Sequence, residues 1–392
     1  MPSVPTTSLD LGSSAFVEDP YPAFDQERAA HPVAWHEGLG LYLVFDHATV
    51  GAVQRERRFG RLWTDREPAD YLEPFNLLHR NQMMENEPPE HTRLRRPVAA
   101  AFARGHIERL RPRVRELAAG LLDEIDPAAD FDVISAYAEP LPVLVIAELL
   151  GVPVEHVPSL RTWSQAIVRV YEPNPSEVVV EEAVRASEEF AALVRDLAAA
   201  RRITPADDLI TDLVATELND DEVVAAVVLL LNAGHEASVN VFGNGLVAML
   251  ERGLRPGDDV AATVEEMLRF DSALQLFERT ATEQITIGPE GRSVVVEPGE
   301  RVAVLLGSAN RDPAVFDRPG EFLVDRSPNP HVAFGVGVHF CLGAPLARME
   351  LVESVPALFG RYPDLALAGP PVSRGTFVLR GYDQVRVTPS AR

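Results

Sequence analysis

One run restricts the fold of this 392-residue chain more than any other: DDEVVAAVVLLLNAGHEASVNVFGNGLVAML, from Asp220 to Leu250. It contains no proline. At ~1.5 Å per residue the run makes a helix of roughly 45 Å, long enough to cross a whole domain. Before Asn232 it is apolar on nearly every face, so such a helix has to be packed on all sides at the centre of the fold. The wholly apolar part, Val223 to Leu231, is too short to span a bilayer and leads into Asn, Gly, His and Glu.

Those polar residues, NAGHEASVN from Asn232 to Asn240, raise a second constraint. Gly234 costs a helix interior ~1 kcal/mol relative to alanine. His235 and Glu236 bring polar groups into a buried element and must find partners there. Two readings stand: a kink with hydrogen-bonded side chains, or a helix that opens locally beside a cofactor and carries an acid for proton transfer.

The stretch FGVGVHFCLG, Phe334 to Gly343, holds the sole cysteine of the chain. A single thiol makes no internal disulfide, and an arbitrary lone Cys is commonly a small core residue. Here the glycines let the backbone bend closely around something. The following APLARMELVESVPALF reads as a helix. The sulfur thus sits at or just before a helix N-terminus, where backbone N–H groups favour a thiolate. That arrangement suits a nucleophile or a metal ligand.

Elsewhere helical patterning dominates, with short strand-like pieces (LYLVF, SVVVEP, RVAVLL, QVRVT) between Gly and Pro turns. The expected fold is mainly α with small β-sheets, one large domain over residues 1–392 with a long central helix. A net charge of −23 argues against a nucleic-acid partner. The N-terminus has neither the basic start nor the apolar run of a signal peptide, and one cysteine fits a reducing compartment. A soluble cytoplasmic protein without membrane contact is expected. All 36 basic residues are arginine, and eight of them (Arg93, Arg95, Arg96, Arg104, Arg109, Arg111, Arg113, Arg115) fall within 23 residues. This island is either a solvated helix face or a docking patch for an acidic partner.

Taken together, FGVGVHFCLG resembles the haem-thiolate signature of the cytochromes P450, with every fixed position filled. AGHEAS resembles that family's central-helix oxygen-activation motif, and EEMLR supplies its Glu-x-x-Arg pair as Glu266 and Arg269. Spacing alone gives that pair no weight, since Glu90/Arg93, Glu108/Arg111 and Glu182/Arg185 share it; its order between the two other motifs does. ANRDPAVFDRPGEF and PPEHTRLRR extend the likeness over essentially the whole chain.

The resemblance implies haem b, with Cys341 as axial ligand to the iron, donating electron density that favours O–O cleavage. Phe334 would screen the sulfur, with Gly335 and Gly343 shaping the loop and Ala233 and Gly234 lying against the cofactor. His91, Arg95, Arg279 and His339 would hold the propionates. Glu266 and Arg269, with Arg326 as a less secure third member, would support the fold. The implied reaction is monooxygenation, with Glu236, Ala237 and Ser238 at the catalytic position. Electrons would come from a small acidic iron–sulfur ferredoxin with an NAD(P)H-dependent reductase, docking on the arginine island and Arg348. Oxidative phenol coupling, a peroxide-driven peroxygenase and a haem-based sensor are the alternatives.

Two departures stand out. The family usually has threonine after the acid of the central helix; this chain has Ala237, leaving Ser238, a water or a substrate hydroxyl to supply the missing donor, with a water network completed by the substrate favoured. The segment before EEMLR is short, predicting an abbreviated connecting helix. A mid-sized apolar substrate, by analogy a polyketide or macrolide, would meet Trp63, Phe75, Asn232, Leu274, Phe277 and Phe377.

Overall fold

The computed structural model describes residues 4–102, 104–172 and 175–389, without the side chains of residues 104–106. Asp220–Glu251 is one continuous helix. Its start is a capping box: the Asn219 side chain accepts the Glu222 N–H at 2.9 Å, and the Glu222 carboxylate accepts the Asn219 N–H at 2.9 Å. Asp220, Asp221 and Glu222 place negative charge on the positive end of the helix dipole. The helices Ala69–Arg80, Pro140–Leu150, Val157–Val168, Glu177–Ile203 and Val260–Phe270 pack around it. Val223, Val227 and Leu231 lose all contact with solvent, each contributing roughly 1.5–3 kcal/mol of burial. Although its length and hydropathy would suffice to cross a bilayer, 83% of its most apolar window is buried inside the protein.

The helix continues through Asn232–Asn240, and Glu236 finds its partner on another element, Arg374. Glycine serves packing further along. A Cβ at Gly245 would come 2.5 Å from the Met267 side chain, so the missing side chain lets the Val260–Phe270 helix close against the central one.

The expected connecting helix is also absent. Between Glu251 and Val260 the described chain holds no helix. Gly253 takes φ +62°, Pro256 and Gly257 follow, and Asp259 caps the next helix by accepting the N–H groups of Ala261 and Ala262 at 3.1 and 3.2 Å. Eight residues carrying those stops cannot build another helix.

At the margin lies a six-stranded sheet in the order Thr6–Thr7, Val33–His36, Leu41–Val44, Arg301–Leu305, Leu276–Ala281, Phe59–Gly60. Leu41–Val44 pairs in parallel with Arg301–Leu305, which pairs antiparallel with Leu276–Ala281 so that Phe277 faces Val304. This fixes Leu276–Ala281, which carries Phe277 and Arg279, in register beside the helical core.

Candidate functional site

The thiol loop is shaped by two left-handed glycines, Gly335 at φ +65° and Gly337 at φ +81°. A Cβ at Gly337 would lie 2.3 Å from the Gln54 carbonyl oxygen, so only glycine lets the loop approach the His47–Arg55 helix. The Gln54 side chain accepts the Val336 N–H at 3.1 Å. Cys341 donates its N–H to the Phe334 carbonyl at 2.9 Å, and the helix Ala344–Arg361 starts three residues later. Cys341 remains accessible. Burial pushes the thiol up, against the N–H groups of Gly343 and Ala344 and the charges of Arg95 and Arg348. The helix start therefore favours the thiolate but, in the protein alone, does not outweigh burial, contrary to the sequence reading. Arg348 lies over the Phe334 ring, 4.5 Å from its centroid, and bonds to Glu265 at 2.5 and 2.9 Å.

Four basic groups were expected nearby. Arg95 donates to the carbonyls of Val338 (3.2 Å) and Phe340 (2.7 Å), tying the Glu90–Ala101 helix to the thiol loop. His91 is 4% exposed, its ring 4.6 Å from that of His339, and its Nε2 has no partner. Burial first, then the charges of His339 and Arg95, pushes His91 down to about 4. Arg279 is 3% exposed and donates to the Glu278 carbonyl at 2.8 Å. Burial, aided by Arg61, pushes it down to about 10. His339 instead meets a carboxylate that sequence reasoning missed: its Nε2 lies 2.7 Å from Glu87 Oε1, which also accepts the Arg61 N–H at 2.8 Å. Glu87 stands just before PPEHTRLRR, one residue outside the pattern that drew attention. Arg61 pairs with the equally unforeseen Glu85.

On the central helix, Ala233 is exposed and Ala237 part-exposed amid buried neighbours, while Gly234 turns toward Ile146, whose side chain lies 3.4 Å from where a Cβ would stand. Asn232 is buried with Oδ1 unpartnered. Glu236 is buried and accepts a hydrogen bond from Arg374 at 2.6 Å, a partner more than 130 positions away. His235 lies 3.5 Å from Glu236 and 3.9 Å from Glu139, and burial pushes it down to about 4, so it is neutral near pH 7. Glu139 in turn accepts from Arg161 and Gln165, each at 2.5 Å. Ser238 faces a separate small cavity lined by Tyr137, Phe242, Glu350 and Ser354 among others. Burial pushes the Glu350 carboxyl up to about 8.

Glu266 and Arg269 form a fully buried bidentate pair at 2.7 and 2.8 Å. Arg326 joins it at 2.9 and 3.1 Å, and Arg269 also donates to the carbonyls of Asn310, Pro319 and Glu321.

Comparison with known proteins settles the family. The cytochrome P450 family model matches residues 260–361. The chain is 36% identical to the cytochrome P450 monooxygenase PikC of Streptomyces venezuelae, over 92% of this chain and 88% of that protein. This chain belongs to the cytochrome P450 family. It is also 33% identical to 6-deoxyerythronolide B hydroxylase of Saccharopolyspora erythraea, over 97% and 99% of the two chains. Among solved structures, P450BioI in complex with an acyl carrier protein ligated to hexadec-9Z-enoic acid superposes with a TM-score of 0.90 at 32% identity, covering 95% and 99%. The polyketide synthase cytochrome P450 PksS of Bacillus subtilis gives 0.88 at 32%, covering 98% and 100%.

A cytochrome P450 is an oxidoreductase, and family and fold imply haem b with cysteine thiolate ligation and electrons from a redox partner. The residues present fit that group. The thiol is accessible, Ala233 and Ala237 on the central helix are not fully covered, Arg279 closes no ion pair among the described residues although the charges of Glu87 and Glu85 act on it, and His91 Nε2 is unpartnered. Such groups are what two propionates would satisfy.

The residues expected along the substrate pocket of this P450 make the following contacts. Phe377 packs against Phe16 (4.9 Å) and Phe24 (6.2 Å) in an N-terminal aromatic cluster. Trp63 stacks on His79 at 4.8 Å and Phe75 on the same ring at 4.0 Å. Phe277 lies beneath Arg61 and Arg279, 4.8 and 5.3 Å from its centroid. Leu274 is half-buried and bridges to Leu379.

The arginine island is largely neutralised by the chain itself. Arg93 pairs with Glu90 and Glu222, Arg111 with Glu108 and Glu353, Arg113 with Glu116 and Glu148, and Arg115 with Glu353. The Arg104 side chain lies outside the described residues. Arg96 and Arg109 are exposed and close no ion pair among the described residues.

Proposed function

We propose that this protein is a cytoplasmic, single-domain monooxygenase that inserts one atom of O2 into a mid-sized apolar natural product of the polyketide or macrolide kind, by hydroxylation or epoxidation. The observation that carries the reading is the accessible Cys341 in its glycine loop, together with a buried Arg279 that closes no ion pair among the described residues and a buried His91 whose Nε2 is unpartnered. The relatives support the class: PikC is named a monooxygenase, PksS a polyketide biosynthesis cytochrome P450, and the third a 6-deoxyerythronolide B hydroxylase.

Cys341 would hold the iron, and Arg279, His91, Arg95 and His339 would hold the propionates. When bound, haem b supplies oxygen activation, and thiolate ligation favours O–O cleavage. Two electrons and two protons enter; one oxygen atom goes to substrate and the other leaves as water. The electrons come from an acidic iron–sulfur ferredoxin and its NAD(P)H-dependent reductase. Glu236 carries protons, which requires it to leave Arg374. With alanine at 237, the donor nearest the substrate is a water or a substrate hydroxyl. Ser238 faces its own cavity beside Glu350, whose carboxyl keeps its proton near neutral pH.

Turnover with a ferredoxin system under isotopically labelled O2 tests the reading: label should enter the product, one atom per substrate. Unlabelled coupled dimers would instead show phenol coupling, and peroxide-supported label-free insertion a peroxygenase. Cys341→Ser should abolish both the strongly red-shifted Soret band of the reduced carbonyl complex and the activity.

A further inference from the structure

The connection between the Val157–Val168 and Glu177–Ile203 helices brings Glu172 onto a bend near the C-terminus. One carboxylate there accepts three consecutive backbone N–H groups: Phe377 at 3.1 Å, Val378 at 3.0 Å and Leu379 at 3.4 Å. Three main-chain donors converging on one carboxylate make an anion-binding concavity that needs no cationic side chain. None faces Glu172 as an ion partner among the described residues, and burial pushes its carboxyl up despite the three donors. The contact is thus held by neutral dipoles against a desolvation penalty, and release returns the carboxylate to water.

The bend does not depend on Glu172 for its shape. Val378 accepts the Gln275 N–H at 3.0 Å, Thr376 Oγ1 donates to the Leu379 carbonyl at 2.7 Å, Leu379 bridges to Leu274, and the Phe377 ring is fixed between Phe16 and Phe24. The donors are therefore preorganised. Glu172 rides on a connection that reaches the Ala69–Arg80 side through separate contacts, Arg66 to the Val170 carbonyl at 3.2 Å and Tyr171 to His79 at 3.1 Å. An occupant on one element and a rigid receptor on another can separate without unfolding either.

We propose that the N–H groups of Phe377, Val378 and Leu379 form a carboxylate subsite for substrate, which Glu172 fills until an organic acid with an apolar body exchanges for it. This rests on the monooxygenase reading and narrows its substrate class to acids. Beside the donors lie the half-buried Leu274 and the buried Val378, both packed into the N-terminal apolar cluster with Phe16, Phe24 and Phe377, and the apolar body of the acid would lie against the exposed part of Leu274.

The test compares haem-loaded wild type, Glu172→Ala and Glu172→Gln by calorimetric titration with tetradecanoic acid and with tetradecan-1-ol. Backbone amide exchange at 377–379 is followed in parallel. Removing the internal occupant should tighten acid binding about tenfold in Glu172→Ala and leave the alcohol within about twofold, since charge-assisted hydrogen bonds distinguish the two. The three amides should lose protection in the variant and regain it with the acid. Glu172→Gln keeps the side-chain volume and should show a smaller acid-selective gain, which guards against a collapsed Ala variant. Unchanged or weakened acid binding, or an equal gain for the alcohol, overturns the subsite. Neither readout needs turnover, so a failure of the oxygenation reading would leave this result intact and recognisable.

Discussion

Glu236 on the central helix and Arg374, next to the Val372–Ser373 strand, are joined by a buried hydrogen-bonded ion pair at 2.6 Å. The acid best placed to carry protons is thus held by a residue far away in sequence. Arg374 also faces Asp383 at 3.4 Å. Arg374→Ala strands the Glu236 carboxylate and should cost about 3 kcal/mol in urea unfolding. Glu236→Gln should lower coupled turnover roughly 10- to 100-fold while substrate binding, read by titration, stays near wild type. Full turnover in Glu236→Gln would remove Glu236 from proton delivery.

Ser238 opens on a cavity with Glu350 and Tyr137. If water or a substrate hydroxyl replaces the missing threonine, Ser238→Ala should change product formed per NADH consumed by less than about twofold with the native substrate. Ala237→Thr should raise that ratio for substrates lacking a suitable hydroxyl. A collapse of coupling in Ser238→Ala, with peroxide released, assigns the role to Ser238.

The Glu266–Arg269–Arg326 cluster is buried on all sides. Glu266→Ala leaves two guanidinium groups without their carboxylate and should cost about 3–5 kcal/mol in equilibrium unfolding. Arg326→Gln should cost less, because Arg269 retains Glu266 and three carbonyls.

Electron delivery separates free from self-paired arginines. Arg96→Glu and Arg109→Glu should slow the ferredoxin-dependent reduction rate at low ionic strength. The effect should fade as screening tightens toward ~8 Å at physiological salt. Arg113→Glu should do less, since Glu116 and Glu148 already neutralise that guanidinium. Equal effects at all three positions, measured by stopped flow, would return the island to a plain solvated face.

Acid stability should respond to Glu265. Burial raises this carboxyl, but its bonds to Arg348 and His331 outweigh that and lower it from 4.5 to about 2. Its folded-state value lies below the unfolded one, so its stabilisation is complete above about pH 4.5 and lost as pH falls toward 2. Glu265→Gln should lower the melting temperature at pH 6 and narrow the gap to wild type as the pH drops through that window.

Several features were legible in the chain because they depend on local chemistry. A helix apolar on nearly all faces has to be central. Glycines 335 and 337 mark a loop no other residue could follow, and the motif order from the central helix through Glu266–Arg269 to Cys341 carries the family likeness. The tertiary structure alone decided the partners of the charges. Arg374 for Glu236, Glu87 for His339, Glu353 for Arg111 and Arg115, and the Phe377–Leu379 amides for Glu172 join positions far apart in sequence. No periodicity encodes such pairings. A buried charge is satisfied by whichever opposite charge or dipole the packed fold brings within about 3 Å, and that choice is made only when the apolar faces have already fixed which elements touch.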